Sequence, residues 1–283
     1  MIRFRRFFSG MLVCLLLLIL LAGCEQDSIS ASLTVDLLKV GKADAIVLIT
    51  GDRCMIIDAG EEDDGPEMIR FLQSRGIRRL DTLIITHFDK DHVGGAAALL
   101  GAYSVDRILL PAYENELAEY QAFLAAIDRQ STVPERLSDA VTFSFGDAEV
   151  LVEPPLSYEA TTDGEADNNF SLITTVTHGE NQLVFAGDSE KSRIRDWLKS
   201  REIAPCDFLK LPHHGVFNKA LDELLDALQP SYVAICTSDK NPAEDKTLSL
   251  LAERGITTFE TKDGDITILS DGQTLRVSQS NGF

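Results

Sequence analysis

The sequence predicts an α/β fold formed as one large domain. Short runs rich in Val, Ile and Leu alternate with amphipathic, Ala- and Leu-rich stretches in both halves of the chain. Such alternation is the pattern of sheets covered by helices. Several of the apolar runs are followed at once by Asp or His, so chemistry-bearing side chains gather at strand ends. The length of 283 residues, 45% of them hydrophobic, with mean hydropathy near zero, is enough to bury a sizeable core.

The fold is expected to begin at residue 32. Arg3, Arg5 and Arg6 precede a Leu-rich core from Met11 to Leu21, and Leu21-Ala-Gly-Cys24 follows. The apolar run is short for a membrane span, which needs about 20 residues. A positive start, a short apolar core and small residues read as a signal peptide over 1–23. The last four residues resemble a bacterial lipobox, which implies lipidation of Cys24 and a polar tether over 24–31. The expected protein is an extracytoplasmic, bacterial membrane-anchored lipoprotein, held by acyl chains.

The elements follow in order. Leu33–Leu38, Ala45–Thr50 and Met55–Asp58 read as strands, with a turn at Gly51-Asp52. Gly65 to Gly76 reads as an amphipathic helix, with Pro66 near its start and Gly76 past its end. Asp81-Thr-Leu-Ile-Ile-Thr86 is a buried strand, and a helix is expected from Val93. Val105–Pro111 is a strand, Tyr113–Arg129 a helix, and Val141–Phe145 with Ala148–Pro154 a hairpin. Ser157–Asn168 is a polar loop placed to lie over a site mouth. Leu172–Thr177 and Leu183–Ala186 are strands about a turn containing His178, which reads as a surface residue outside any site. A helix over Ser189–Ser200 carries Lys191, Arg195 and Lys199 on one face, with Arg193 and Arg201 adding charge. Phe208–Leu211 is a strand. Leu221–Leu228, Tyr232–Cys236, Thr247–Arg254, Thr257–Glu260, Ile266–Leu269 and Thr274–Val277 complete the second half. Cys54 and Cys236 lie in apolar strand-like runs and read as small buried groups.

The stretch His87-Phe-Asp89-Lys-Asp91-His92-Val-Gly-Gly carries the chemistry. Two of the five His of the chain stand here with two Asp between them. In an extended segment, positions i, i+2 and i+4 point one way. That would send His87, Asp89 and Asp91 to one side and turn His92 away. Four ligands divided between two directions suit two adjacent cations, which at about 3.5–4 Å clamp the attacking and leaving oxygens of a hydrolysis. Asp188 follows a strand and is also a candidate N-cap for the next helix. His213 and His214 form a tight turn at another strand end, where adjacent side chains diverge.

This stretch resembles the metallo-β-lactamase superfamily, whose signature is His-x-His-x-Asp-His, with Asp89 in place of the second His. The form His-x-Asp-x-Asp-His-x-Gly-Gly is similar to the C-terminal hydrolase domain of the competence protein ComEC and its stand-alone relatives. Leu33 to Gly60, Asn169-Phe-Ser-Leu172, Phe185-Ala-Gly-Asp188 and Leu209-Lys-Leu-Pro-His-His-Gly215 resemble further motifs of that branch, in its order. The resemblance implies a four-layer αββα sandwich over 32–283. It implies that His87, Asp89, Asp91, His92, Asp188 and His214 hold two divalent metal ions, with Asp188 bridging them. Asp58 is then an orienting hydrogen-bond acceptor, and Asn169 stands where the superfamily has a third His. His213 is either a ligand of the other metal or a general acid. Asp91 orients or deprotonates the attacking water. A carboxylate-rich set suits Mn²⁺ as well as Zn²⁺. Two departures stand out: Lys39-Val-Gly-Lys-Ala-Asp44 replaces Asp-Val-Gly-Gln-Gly-Asp, and Asn241-Pro242 replaces His-Pro.

The formal net charge is −19, and loss of the three Arg of the leader takes it to about −22. Such a field disfavours nucleic acid, whose binding needs Lys and Arg against phosphates. The expected activity is hydrolysis of a small or polymeric phosphoester, most of all a phosphodiester, outside the cytoplasm. The alternatives are hydrolysis of another ester, amide or lactone, and a non-catalytic metal-binding surface lipoprotein.

Overall fold

The computed structural model describes residues 32–159 and 166–280. The expected leader over 1–23, the tether over 24–31 and the lipidation site Cys24 lie outside the described residues, as does the middle of the polar loop, 160–165. The described residues form one compact unit.

Two sheets form its centre. The first contains β1 (Leu33–Leu37), β2 (Ala45–Thr50), β3 (Arg53–Ala59), β4 (Leu80–Ile84), β5 (Val105–Pro111) and β6 (Glu135–Leu137). Two late strands, β14 (Ile266–Ser270) and β15 (Leu275–Gln279), complete it in the order β15-β14-β1-β2-β3-β4-β5-β6. The second contains β7 (Val141–Phe145), β8 (Ala148–Glu153), β9 (Ile173–His178), β10 (Asn181–Phe185), β11 (Phe208–Lys210), β12 (Tyr232–Ile235) and β13 (Thr257–Glu260). Its order is β13-β12-β11-β10-β9-β8-β7. Each sheet has an antiparallel portion and a parallel portion, β3 to β6 in one and β10 to β13 in the other.

The layering follows from the two-residue period of strands, which sends neighbours to opposite faces. In β3, Met55 and Ile57 enter a core shared with Leu183, Phe185 and Phe208 of the other sheet. Cys54 and Ile56 enter a different core, with Met68, Leu72, Leu99 and Phe123. On the far sheet Val184, Leu209 and Val233 meet Ile194, Trp197, Leu221 and Leu251. The helices behind the first sheet are α1 (Gly65–Ser74), α3 (Ala96–Ala102) and α4 (Ala118–Ile127), with the single turn α2 (Lys90–Val93) before α3. Those behind the second are α6 (Lys191–Ser200), α7 (Ala220–Leu228) and α8 (Asp245–Glu253); a short turn, α5 (Ala166–Asn169), precedes β9. Three apolar cores separate four layers, so the fold is the αββα sandwich implied by the resemblance. Each large apolar side chain sealed in these cores contributes about 1.5–3 kcal/mol.

Some elements differ from expectation. The helix expected over Tyr113–Arg129 is shorter, Ala118–Ile127. Strand β6, with sequence Glu-Arg-Leu, carries no apolar pattern and is placed by its parallel pairing to the end of β5. Cys54, Cys206 and Cys236 are all buried free thiols.

Candidate metal centre

The ends of β3, β4, β10, β11 and β12 meet at one edge of the sandwich. Asp58 sits at the end of β3, His87 follows β4, Asp188 follows β10, and His213-His214 follows β11. Strand β2 is antiparallel to β3, and Ala45 pairs with Ala59, so Asp44 lies at the same edge. The sheets are joined there by the backbone N–H of Leu172, which donates to Thr86 O at 2.9 Å.

Chain direction changes inside the first motif. Asp89 is extended, but Lys90–Val93 is a helical turn, so the two-residue alternation stops at Asp89. His92 is therefore not turned away: its ring lies 4.1 Å from that of His87, centroid to centroid. Asp89 Oδ2 stands 3.6 Å from His87 Nε2. Asp91 Oδ2 is 3.4 Å from His214 Nε2. Asp188 spans the cluster, with Oδ1 3.3 Å from His92 Nε2 and Oδ2 3.1 Å from His214 Nε2. The backbone allows close contact at one further point. A Cβ on Gly95 would lie 2.2 Å from Ala59 O, so glycine lets the motif lie flat against the end of β3.

Proton accounting fixes the Nδ1 side of the three imidazoles. The Asp58 carboxylate accepts from Thr86 N–H at 2.7 Å, Thr86 Oγ1–H at 2.7 Å and His92 Nδ1–H at 2.8 Å. Because Thr86 Oγ1 spends its proton on Asp58, it accepts from His87 Nδ1–H, 3.1 Å away. His214 Nδ1–H donates to the Cys236 carbonyl at 3.0 Å. With Nδ1 the donor on each ring, all three Nε2 atoms are turned into the cluster, where each offers a lone pair to a cation or holds a proton against Asp188 or a neighbouring carboxylate when no cation is there. His87, His92 and His214 are fully buried, and their Nε2 atoms, with Asp188 Oδ1, have no hydrogen-bond partner. Four orphaned polar atoms in one place are costly unless a cation joins them.

Charge leads to the same conclusion. Burial disfavours a charged His92, yet Asp188 and Asp58 hold its pKa well above the ordinary value. For His214 burial is likewise outweighed by Asp188 and Asp91. The centre calls for positive charge where those Nε2 atoms point. Asp44, Asp58, Asp89, Asp91 and Asp188 supply five negative charges against one buried ammonium, Lys210. The remaining four match two divalent cations. Imidazole nitrogens with carboxylates are a donor set that Zn²⁺, Mn²⁺ and Fe²⁺ all accept, so the residues fit such ions. Three groups of possible ligands lie close together: His87, His92 and Asp188; Asp91, His92 and His214; and Asp44, Asp58 and His92.

Lys210 and Asp44 lie within the quoted motifs, but the sequence reading assigns neither a place in the site. The Lys210 ammonium is fully buried, pairs with Asp44, donates to Gly187 O at 3.1 Å and lies 3.6 Å from Asp188 Oδ1. Burial opposes its charge, but Asp44 and Asp188 raise its pKa above the ordinary value. An alternation cue exists: Lys210 interrupts an apolar strand where a neutral residue is expected.

Other side chains take places the sequence did not indicate. Asp188 is not the cap of α6; that position is Glu190. Asn169 Oδ1 accepts from Arg193 N–H at 3.1 Å in the first turn of α6. Arg193 is no surface charge: its guanidinium is buried and donates to Ser171 O and Glu153 O. Neither is His178 a surface residue, for it is buried against Ser270 Oγ at 2.7 Å, away from the cluster. His213 stands at the rim, with Nδ1 3.4 Å from Glu190 Oε1. Asp58, His213 and His214 all have left-handed backbone, at φ of 59°, 49° and 51°. Such conformations cost about 1–3 kcal/mol each and gather at functional sites.

Known proteins resemble the chain in sequence and in fold. The model of the metallo-beta-lactamase superfamily matches residues 38–238. The chain is 30% identical over 198 residues to ComE operon protein 3 of Bacillus subtilis, covering 69% of this chain and 25% of that one. It is 26% identical over 213 residues to Recombination protein 2 of Haemophilus influenzae, covering 74% and 24%. The chain thus spans about a quarter of the length of these curated relatives. Among solved structures, the metallo-beta-lactamase fold protein YhfI from Bacillus subtilis aligns at TM-score 0.54 and 10% identity, over 87% of this chain and all of that one. CmlA, a diiron beta-hydroxylase from Streptomyces venezuelae, aligns at TM-score 0.51 and 17% identity, over 88% of this chain and 54% of that one. The family match covers the strand ends and every ligand candidate named above, and the chain belongs to the metallo-beta-lactamase superfamily.

Proposed function

We propose that the protein is a metal-dependent phosphodiesterase that works outside the cytoplasm, with two divalent cations, zinc or manganese, in the cluster. The observation that carries the reading is the convergence of three Nε2 atoms and the Asp188 carboxylate in a buried, negatively charged pocket. His87, Asp89, Asp91, His92, Asp188 and His214 would hold the ions. When bound, such a pair supplies a nucleophile at neutral pH and stabilises charge on phosphoryl oxygens.

The chain's own residues do the rest. Asp58 fixes His92 directly and His87 through Thr86, so the ligands are placed before any ion arrives. Asp91, whose side chain is 15% exposed, lies where the cluster opens on a cavity and is placed to orient a water and take its proton. His213, 19% exposed beside Glu190, is at the rim, where a proton donor for the leaving oxygen is required. The net charge of −19 favours a small or envelope-borne ester over a nucleic acid.

The test is hydrolysis of a chromogenic phosphodiester after metal stripping and return of Zn²⁺ or Mn²⁺. Turnover should need the metal and fall about 10²-fold or more in Asp91→Ala, the range for loss of a directly acting group. Stoichiometric metal without turnover would replace this reading with hydrolysis of another ester class or with a binding role. The membrane tether is a separate claim: Cys24→Ser should move the protein from the membrane to the soluble fraction of the producing cell.

A further inference from the structure

A cavity of about 330 Å³ opens beside the cluster, lined by Lys42, Glu61, Lys90, Asp91 and Asn241 with the Val40-Gly41 turn and the Asp63-Asp64 corner. Asp91 belongs to both, so the cavity leads to the reacting centre. Its two ammonium groups differ. Lys90 Nζ lies 3.5 Å from Glu61 Oε1, a carboxylate no ion in the cluster would claim. Lys42 Nζ lies 4.0 Å from Asp91 Oδ2, and among the described residues this is the carboxylate within ion-pair reach. Lys42 is carried by the loop between β1 and β2, which turns at Gly41 with φ of 91° and has open space around it. Its side chain is 34% exposed. Asn241, across the same cavity, brings an uncharged amide.

Asp91 cannot serve two cations equally. Once its carboxylate is committed to an ion in the cluster, Lys42 loses its counter-charge and faces added positive charge. An anionic oxygen reaching Lys42 would replace that counter-charge locally, in a cavity whose other ammonium, Lys90, is already paired with Glu61. From this we infer that Lys42 is the phosphate contact of the substrate: its ammonium donates to a non-bridging oxygen of an anionic phosphoester seated in the cavity. Lys42 also stands at one of the two departures from the branch pattern. The inference rests on the phosphodiesterase reading.

The experiment uses the Mn²⁺-loaded full chain with bis(4-nitrophenyl) phosphate as substrate and inorganic phosphate as competitor. The variants are Lys42→Gln, Lys42→Glu and Lys42→Arg. Lys42→Gln should raise both KM and the phosphate inhibition constant about tenfold, with kcat within about threefold. Lys42→Glu should raise them further, and Lys42→Arg should restore them. Added NaCl should weaken wild-type binding more than that of Lys42→Gln, because the lost contact is charged and partly exposed. Diester turnover with KM and inhibition constant unchanged in Lys42→Gln and Lys42→Glu would overturn the inference and leave the phosphodiesterase reading intact. Neither turnover nor phosphate competition in the metal-loaded wild type would overturn both.

Discussion

At the residue scale, Asp58 governs the centre without facing the substrate. One carboxylate holds a backbone N–H, a hydroxyl and an imidazole, and through the hydroxyl it sets the tautomer of a second imidazole. Asp58→Ala should therefore weaken metal binding about 10–100-fold, measured by titration of the stripped protein, while leaving the six expected ligands, His87, Asp89, Asp91, His92, Asp188 and His214, in the sequence. Lys210 is the opposite case, a resident cation that pairs with Asp44 beside Asp188 and offsets one of the five carboxylates. Lys210→Met leaves Asp44 and Asp188 buried without it and should cost about 3–5 kcal/mol in chemical denaturation of the stripped protein. Adding Asp44→Asn should recover part of that loss, since the stranded charge goes too. If the double variant is no more stable than Lys210→Met, the pair is not coupled as described. These two residues also mark where sequence reading stops. His87, Asp89, Asp91, His92, Asp188 and His214 lie in motifs that follow apolar runs, and the resemblance of those motifs makes them candidates. Asp44 and Lys210 are far apart in the chain, and nothing in the sequence pairs them. Only the meeting of two sheets makes them partners.

At the element scale, the turn Glu62–Asp64 before α1 and the first turn of α6 decide how the rim is held. Burial, with Glu61, Glu67 and Asp63 nearby, raises Asp64 from 3.8 to about 6, against the hydrogen bond it accepts from Glu61 N–H. The folded chain therefore holds this proton more tightly than the unfolded chain. Its contribution to stability falls as pH rises from 3.8 to about 6. Asp64→Asn keeps an acceptor for Glu61 and removes that slope. It should raise stability at pH 7 by about 1 kcal/mol, the full shift being reduced because the group is half exposed. Denaturant midpoints at pH 4 and pH 7 decide it; equal effects at both pH values would rule out the charge explanation. In α6, the spacing of Lys191, Arg195 and Lys199 is that of a solvated face, and Arg195 does pair with Glu223 there. Nothing in that spacing shows that Arg193, two residues from its charged neighbours, turns inward to Ser171 and Glu153. A buried arginine is visible only once the carbonyls that receive it have been folded into place.

At the scale of the whole molecule, the α/β class was legible because β2 to β5 and β10 to β12 are apolar runs interleaved with helical stretches, whereas the four-layer order came from the resemblance carried by the strand-end motifs. The parts that were not legible, such as β6 and the true limits of α4, depend on neighbours rather than on local pattern. Ligand candidates come from both sheets, so bound ions would stabilise the folded state by mass action. Chelation should lower the melting temperature, and a hundredfold excess of a divalent cation over its dissociation constant should restore about 2.7 kcal/mol. An unchanged melting temperature would argue against ions in the centre. The joining of two sheets at one edge also orders events in time. Asp58 through His92 emerge from the ribosome long before Lys210 and His214, yet the first group cannot complete the cluster alone. A chain cut short before β11 would own the whole first motif and still lack the ammonium and the third imidazole. A filled centre would therefore require that the two sheets have docked, which would make it a check on the assembly of both halves of the fold.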